Sequence, residues 1–98
     1  MRKSLSDIFD EVSSYLRLPN GIDFRVISTE TGNPINRRKK VDATFLKKYL
    51  RSIKEELRIA TFLRDLEIRI GAQIGARLEL WLAGSPLDGR RKLSRLQS

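Results

Sequence analysis

Residues 66–82 read LEIRIGAQIGARLELWL, and whether this run is strand or helix decides the fold. Leu66, Ile68, Ile70, Ala72, Ile74, Ala76, Leu78, Leu80 and Leu82 hold every even position, while the odd positions carry mostly polar residues or glycine, with Trp81 among them. Side chains alternate between the faces of a strand, so this pattern makes one apolar strand face; on a helix the same residues spread round the axis. Seventeen residues are long for one strand, which predicts a hairpin whose loop, Gln73-Ile74-Gly75, puts glycine where a left-handed backbone is needed. That register sets Leu66 opposite Leu82, Ile68 opposite Leu80 and Ile70 opposite Leu78. The alternative is a continuous helix, using the Gly71/Gly75 spacing for close packing and the good helical propensity of Leu, Glu, Arg and Ala. Gly84-Ser85-Pro86 stops either structure.

Upstream, Phe45, Leu46, Tyr49, Leu50, Ile53, Leu57, Ala60 and Leu63 fall on one helical arc, with Asp42 as N-cap and an end near Leu63, because Arg64 would enter the arc. Before it, Ile35 to Lys40 shows no period and reads as an exposed loop. Thr31-Gly32-Asn33-Pro34 is turn chemistry. Ile22, Phe24 and Val26 alternate in a short strand ending near Ser28. Leu5, Ile8, Phe9, Val12, Tyr15 and Leu16 recur at three and four, a first helix capped by Ser4 and stopped by Pro19-Asn20-Gly21. The order helix, strand, helix, strand, strand predicts a small two-layer α+β domain over residues 1–86; an all-α domain follows if residues 66–83 are helical. No internal repeat stands out. Residues 87–98, LDGRRKLSRLQS, have few apolar side chains and read as a flexible basic tail.

The charge is segregated. The chain carries 20 Lys and Arg against 12 Asp and Glu, a net charge of +8. Residues 37–58 account for +6 of it and residues 85–98 for +3, with the remainder at −1. Clustered cations raise a local potential that is relieved when phosphates arrive and counterions leave. Arg37, Arg38, Lys39 and Lys40 form an unbroken basic run, and Lys47, Arg51, Lys54 and Arg58 make a stripe opposite the apolar arc, roughly 16 Å long at helical rise. Arg90, Arg91, Lys92 and Arg95 add the tail. Trp81, on the odd face, is a candidate for stacking on a base near Arg69 or Arg77.

Cysteine and histidine are both absent, which excludes disulfides, thiolate zinc sites, Cys nucleophiles and the commonest general base. Asp65, Glu67 and Arg69 would share one strand face in the manner of a metal-dependent nuclease, but no lysine accompanies them, and no glycine loop has phosphate-binding spacing. The expected function is therefore non-enzymatic nucleic-acid binding, DNA or RNA, through the phosphates, with no cofactor and no metal. The alternative is an assembly subunit that meets an acidic protein partner, with homo-oligomers formed through the sheet edge. Glu67, Arg69, Arg77 and Glu79 interrupt the only long hydrophobic region, so no membrane span is expected. The opening MRKSLSDIFDEV meets Asp7 before any apolar run, and a cytoplasmic location is expected.

Overall fold

The computed structural model describes residues 1–96. The domain is α+β, built from β1 (Arg2–Ser4), α1 (Leu5–Tyr15), β2 (Ile22–Ser28), β3 (Lys40–Asp42), α2 (Leu46–Ser52), α3 (Ile59–Ile74), β4 (Ala76–Leu82) and β5 (Ser85–Pro86), followed by a single 3-10 turn at Leu93–Arg95. Strands β2, β4 and β5 form an antiparallel sheet in that order, and β1 pairs antiparallel with β3. Phe24, Val26, Leu78 and Leu80 on the inner sheet face meet Leu5, Ile8, Val12, Phe62, Leu66 and Ile70 from the helices in one core. Among the described residues no helix is long and apolar enough to cross a membrane.

The deciding stretch divides in two. Residues up to Ile74 are helix and those from Ala76 are strand, with Gly75 in the left-handed conformation at φ 64° between them. The hairpin therefore does not form, and neither does a helix through residue 83. Gly75 takes the left-handed backbone expected of it, but as a helix C-cap. The alternation is genuine over Ala76–Leu82, where Ala76, Leu78 and Leu80 are buried. Carried back to Leu66 it is coincidental, since Leu66 and Ile70 are buried while Ile68 stands 61% exposed. The buried stripe of α3 is Ile59, Phe62, Leu66 and Ile70, spaced three, four and four.

The helix expected from Asp42 to Leu63 is also interrupted. It stops at Ser52, Ile53 turns extended (ψ 127°), and α3 starts afresh at Ile59. Asp42 belongs to β3, where its carboxylate accepts from the Thr44 amide (3.0 Å) rather than capping a helix. The linker at 53–58 breaks helical pairing because its carbonyls serve another segment: Glu55 accepts from Ser94 N–H (3.0 Å) and Leu57 from Leu93 N–H (2.9 Å). Tertiary pairing outweighs the modest differences in helix propensity. The partner is the presumed flexible tail. Leu93 is 0% and Leu96 5% exposed, so residues 87–96 form a strap packed into the core. Residues 97 and 98 lie outside the described residues.

The structure also reveals a repeat that the sequence hides. From the N-cap of α1 to the end of β2, positions n align with n + 54 in the second half, although α3 runs on to Ile74 where α1 stops at Tyr15: Ser4 with Arg58 at the helix starts, Leu5, Ile8, Val12 and Leu16 with Ile59, Phe62, Leu66 and Ile70, and Gly21 with Gly75, both at positive φ. The turn after the strand is two residues shorter in the second half, so the match continues at n + 52. Gly32-Asn33-Pro34-Ile35-Asn36-Arg37-Arg38-Lys39-Lys40-Val41 then aligns with Gly84-Ser85-Pro86-Leu87-Asp88-Gly89-Arg90-Arg91-Lys92-Leu93. The hydrogen bonds repeat position by position. Ile35 N–H bonds the Val26 carbonyl and Leu87 N–H that of Leu80; Lys39 N–H bonds Asn36 and Arg91 N–H bonds Asp88; Thr29 N–H bonds Gly75 and Ala83 N–H bonds Gly21. The register of β2 on β4 sets Ile22 against Leu82, Ser28 against Ala76 and Arg25 against Glu79, so equivalent positions pair about a local twofold through Arg25 and Glu79.

Candidate functional site

In the strap, Asp88 starts the turn that aims the cations. Its carboxylate accepts from the Arg90 amide (2.9 Å) and its carbonyl from the Arg91 amide (3.1 Å), an Asx-type turn. Lys92 then bridges to Arg58, and the carbonyls of Arg91 and Gly89 accept from Ile59 (2.8 Å) and Ala60 (2.9 Å), the first two amides of α3. Those helix-start donors would otherwise be unpartnered. With the backbone fixed in this way, all four expected tail cations, Arg90, Arg91, Lys92 and Arg95, line one open cleft of about 560 Å³ with Ser94 and Glu56. Glu56 accepts from Lys92 Nζ (3.0 Å), and Arg90 Nε lies 3.3 Å from Asp88. Arg91 and Arg95 have no side-chain partner among the described residues. Three guanidinium forks and one ammonium thus share one cleft with Glu56, and the lining carries an excess of positive charge.

The loop at 37–40 is built the same way. Asn36 Oδ1 accepts from the Arg38 amide (2.9 Å), and the carbonyls of Lys39 and Arg37 accept from Leu5 and Ser6 (both 3.0 Å), the first two amides of α1. Arg37 differs from the other cations. Its guanidinium bonds the Asp23 carboxylate and the Phe24 carbonyl on the outer edge of β2, so it holds the loop down. Arg38 and Lys39 are exposed and unpaired among the described residues. Strand β1, absent from the sequence reading, lays Arg2 beside Lys40, whose carbonyl accepts from its guanidinium (3.0 Å).

The cationic stripe does not assemble. Lys47 and Arg51 are on α2, Lys54 is in the linker, and Arg58 is the N-cap of α3, so the four share no helix. Trp81 is half-buried, with the Arg25 guanidinium 3.7 Å over its ring and its Nε1 donating to Glu79 (3.2 Å). The cation over the indole is Arg25. Asp65, Glu67 and Arg69 lie on α3, where positions two apart point to opposite sides. Arg69 instead covers the Tyr49 ring at 4.6 Å. Tyr49 OH donates to the Phe62 carbonyl (3.1 Å), and burial first, then Asp65, hold the phenol above its ordinary pKa while Arg69 partly opposes them. On the β2 side of the sheet, the edge from Phe24 to Ser28 is occupied by Asn33, Pro34, Ile35 and the Arg37 side chain.

Asp88 and Asp42 are both held below the usual carboxylate range. For Asp88 the cause is the Arg90 amide followed by its side chain; for Asp42 it is the Thr44 hydroxyl followed by the Thr44 amide. Of the residues that sequence reasoning missed, Asp88 becomes legible once the two basic runs are aligned, while Arg2 and Glu56 reach the loops only through the fold. Set against known proteins, the chain matches no family model, no curated protein and no solved structure.

Proposed function

We propose that this chain is a non-enzymatic nucleic-acid-binding protein that grips phosphates. The observation that carries this reading is the convergence of Arg90, Arg91, Lys92 and Arg95 on one open cleft in a chain of net charge +8. The cleft has no aromatic side chain in its lining, which fits contacts that position a backbone without reading bases. The exposed Arg38 and Lys39 extend the same chemistry. With four to six cations engaged at once, the logarithm of the binding constant should fall against the logarithm of salt with a slope of about −3.5 to −5.5 on duplex. Fluorescence anisotropy with duplex DNA, single-stranded DNA and RNA at several salt concentrations measures it, and single Arg91→Ala or Arg95→Ala changes should each reduce the slope by about one. Absence of binding tighter than roughly 100 μM at roughly 50 mM salt, where non-specific basic domains already bind, would replace this reading with that of an acidic protein partner.

A further inference from the structure

The repeat gives most of the strap cleft's lining a counterpart in the first half. Arg90, Arg91 and Lys92 correspond to Arg38, Lys39 and Lys40, and Glu56, on the first-half spacing of 54, to Arg2; past the lysine the paths part, β3 staying extended to Asp42 where the second half turns into the 3-10 turn at Leu93–Arg95. The first half brings four cations, Arg2, Arg38, Lys39 and Lys40, with Asp42 beside them, and the second brings Arg90, Arg91, Lys92 and Arg95, with Glu56 in the cleft and Asp88 against Arg90. The backbone that aims them is the same in each: an Asx turn from Asn36 or Asp88, a β-bridge from the lysine to the residue before the helix, and two carbonyls on the first helix amides. These bonds fix where the side chains at 38–40 and 90–92 leave the chain.

From this equivalence we infer that the protein holds two matching phosphate sites, one per repeat, related by the twofold through Arg25 and Glu79. The inference rests on the reading that the basic segments take phosphates, and it assigns the loop at 38–40 a site of its own rather than a share in a continuous basic surface. The ligand class is a short run of adjacent phosphates. Arginine forks meet phosphate oxygens two at a time, and neither set includes a ring that would select a base. Four cations in each predict affinities of the same order, with Asp88 making the second site the weaker.

Isothermal titration of the whole chain with inorganic tripolyphosphate at low salt tests it. The wild-type protein should take up two per chain. Arg38→Ala/Lys39→Ala and Arg90→Ala/Arg91→Ala should each leave one, and all four changes together none. The four side chains are exposed, so urea midpoints should stay close to wild type and show that each variant is folded. Lys48→Ala/Arg64→Ala removes the same charge outside both straps and should still take up two. One tripolyphosphate per wild-type chain, no effect of the loop changes, or an equal loss from the Lys48/Arg64 control would overturn the two-site assignment. Nucleic-acid binding alongside a single tripolyphosphate site overturns this inference alone; two tripolyphosphate sites without any nucleic-acid binding overturn the nucleic-acid reading and uphold this one.

Discussion

From the turn after the strand to the lysine the two repeats follow one backbone path and hold it by different side-chain means. In the first, Arg37 reaches from the loop to Asp23 and the Phe24 carbonyl and ties the strap to the sheet. At the matching position the second repeat has Gly89, whose backbone lies so close to α3 that an added Cβ would stand 2.8 Å from Ala60 Cβ. One is a polar tie, the other a close approach. What is kept in both is the pair of carbonyls on the helix start and the buried residue after the lysine, Val41 at 1% and Leu93 at 0% exposed. The difference teaches that a helix N-terminus needs acceptors in a given place and is indifferent to what holds them there.

The largest expected effect tests whether the second strap is as integral as the first. Deleting residues 89–98 removes Leu93 and Leu96 from the core together with both acceptors on α3. Each buried leucine is worth about 2–5 kcal/mol on truncation to alanine, against a whole-domain stability of roughly 5–10 kcal/mol. The truncated chain should show no cooperative urea transition by circular dichroism. Leu93→Ala alone should fold and lose about 2–5 kcal/mol. A truncated chain as stable as the full one would mean that the strap is dispensable and the likeness of the halves only formal.

How much of this was legible in the sequence follows from which forces are local. Helix α1 and strand β2 were, because Ser4 caps at the right spacing and the alternation at Ile22, Phe24 and Val26 is bounded by turn residues. The boundary at Gly75 was half-legible: glycine marked a left-handed residue without saying which elements it joined. The break at Ile53 was hidden because the apolar arc runs straight across it, and only the strap, remote in sequence, draws the linker out of helix. The basic residues of the tail were found by composition, yet their convergence depends on Leu93 and Leu96, two apolar residues too sparse to signal burial. The repeat escaped because its halves share chemical class more than identity, Ile35 for Leu87 and Asn36 for Asp88, and because a two-residue difference in turn length shifts the spacing midway.

A smaller effect compares the two ways of holding the strap. Gly89→Ala forces Cβ against the Ala60 methyl on a rigid helix and should cost about 1–3 kcal/mol by overpacking. Arg37→Ala removes charge-assisted bonds from a guanidinium that is 47% exposed, and about 1–2 kcal/mol is expected after allowing for solvent screening. Adding Ala60→Gly to Gly89→Ala should recover most of the loss, so the pair is strongly non-additive in urea titrations. Adding Ala60→Gly to Arg37→Ala should give simple additivity, since Ala60 belongs to the other repeat. Additive behaviour in the first pair would show that the strap moves away from α3 without penalty.

The smallest effect lies in acid, where the two Asx turns differ by one titratable group. Asn36 and Asp88 accept the same bond from the amide two residues on, each at 2.9 Å. Only Asp88 titrates, and its pKa is held below the usual carboxylate range, chiefly by that amide. A carboxylate depressed in the folded state stabilises the fold fully above its unfolded pKa of about 3.9 and loses that contribution as pH falls through the lower folded value. Asp88→Asn keeps an acceptor of the same shape, as Asn36 demonstrates, and removes the proton. Urea midpoints of the variant and wild type should nearly coincide at pH 7. Between pH 4 and pH 2, about the window in which a depressed carboxylate gains its proton, the wild type should fall more steeply. The same change deletes one negative charge beside the cleft and so should strengthen, not weaken, tripolyphosphate binding at neutral pH. Parallel acid profiles for the two proteins would mean that the turn at Asp88 is set by the backbone alone, and the acid-sensitive step would then have to come from a group common to both.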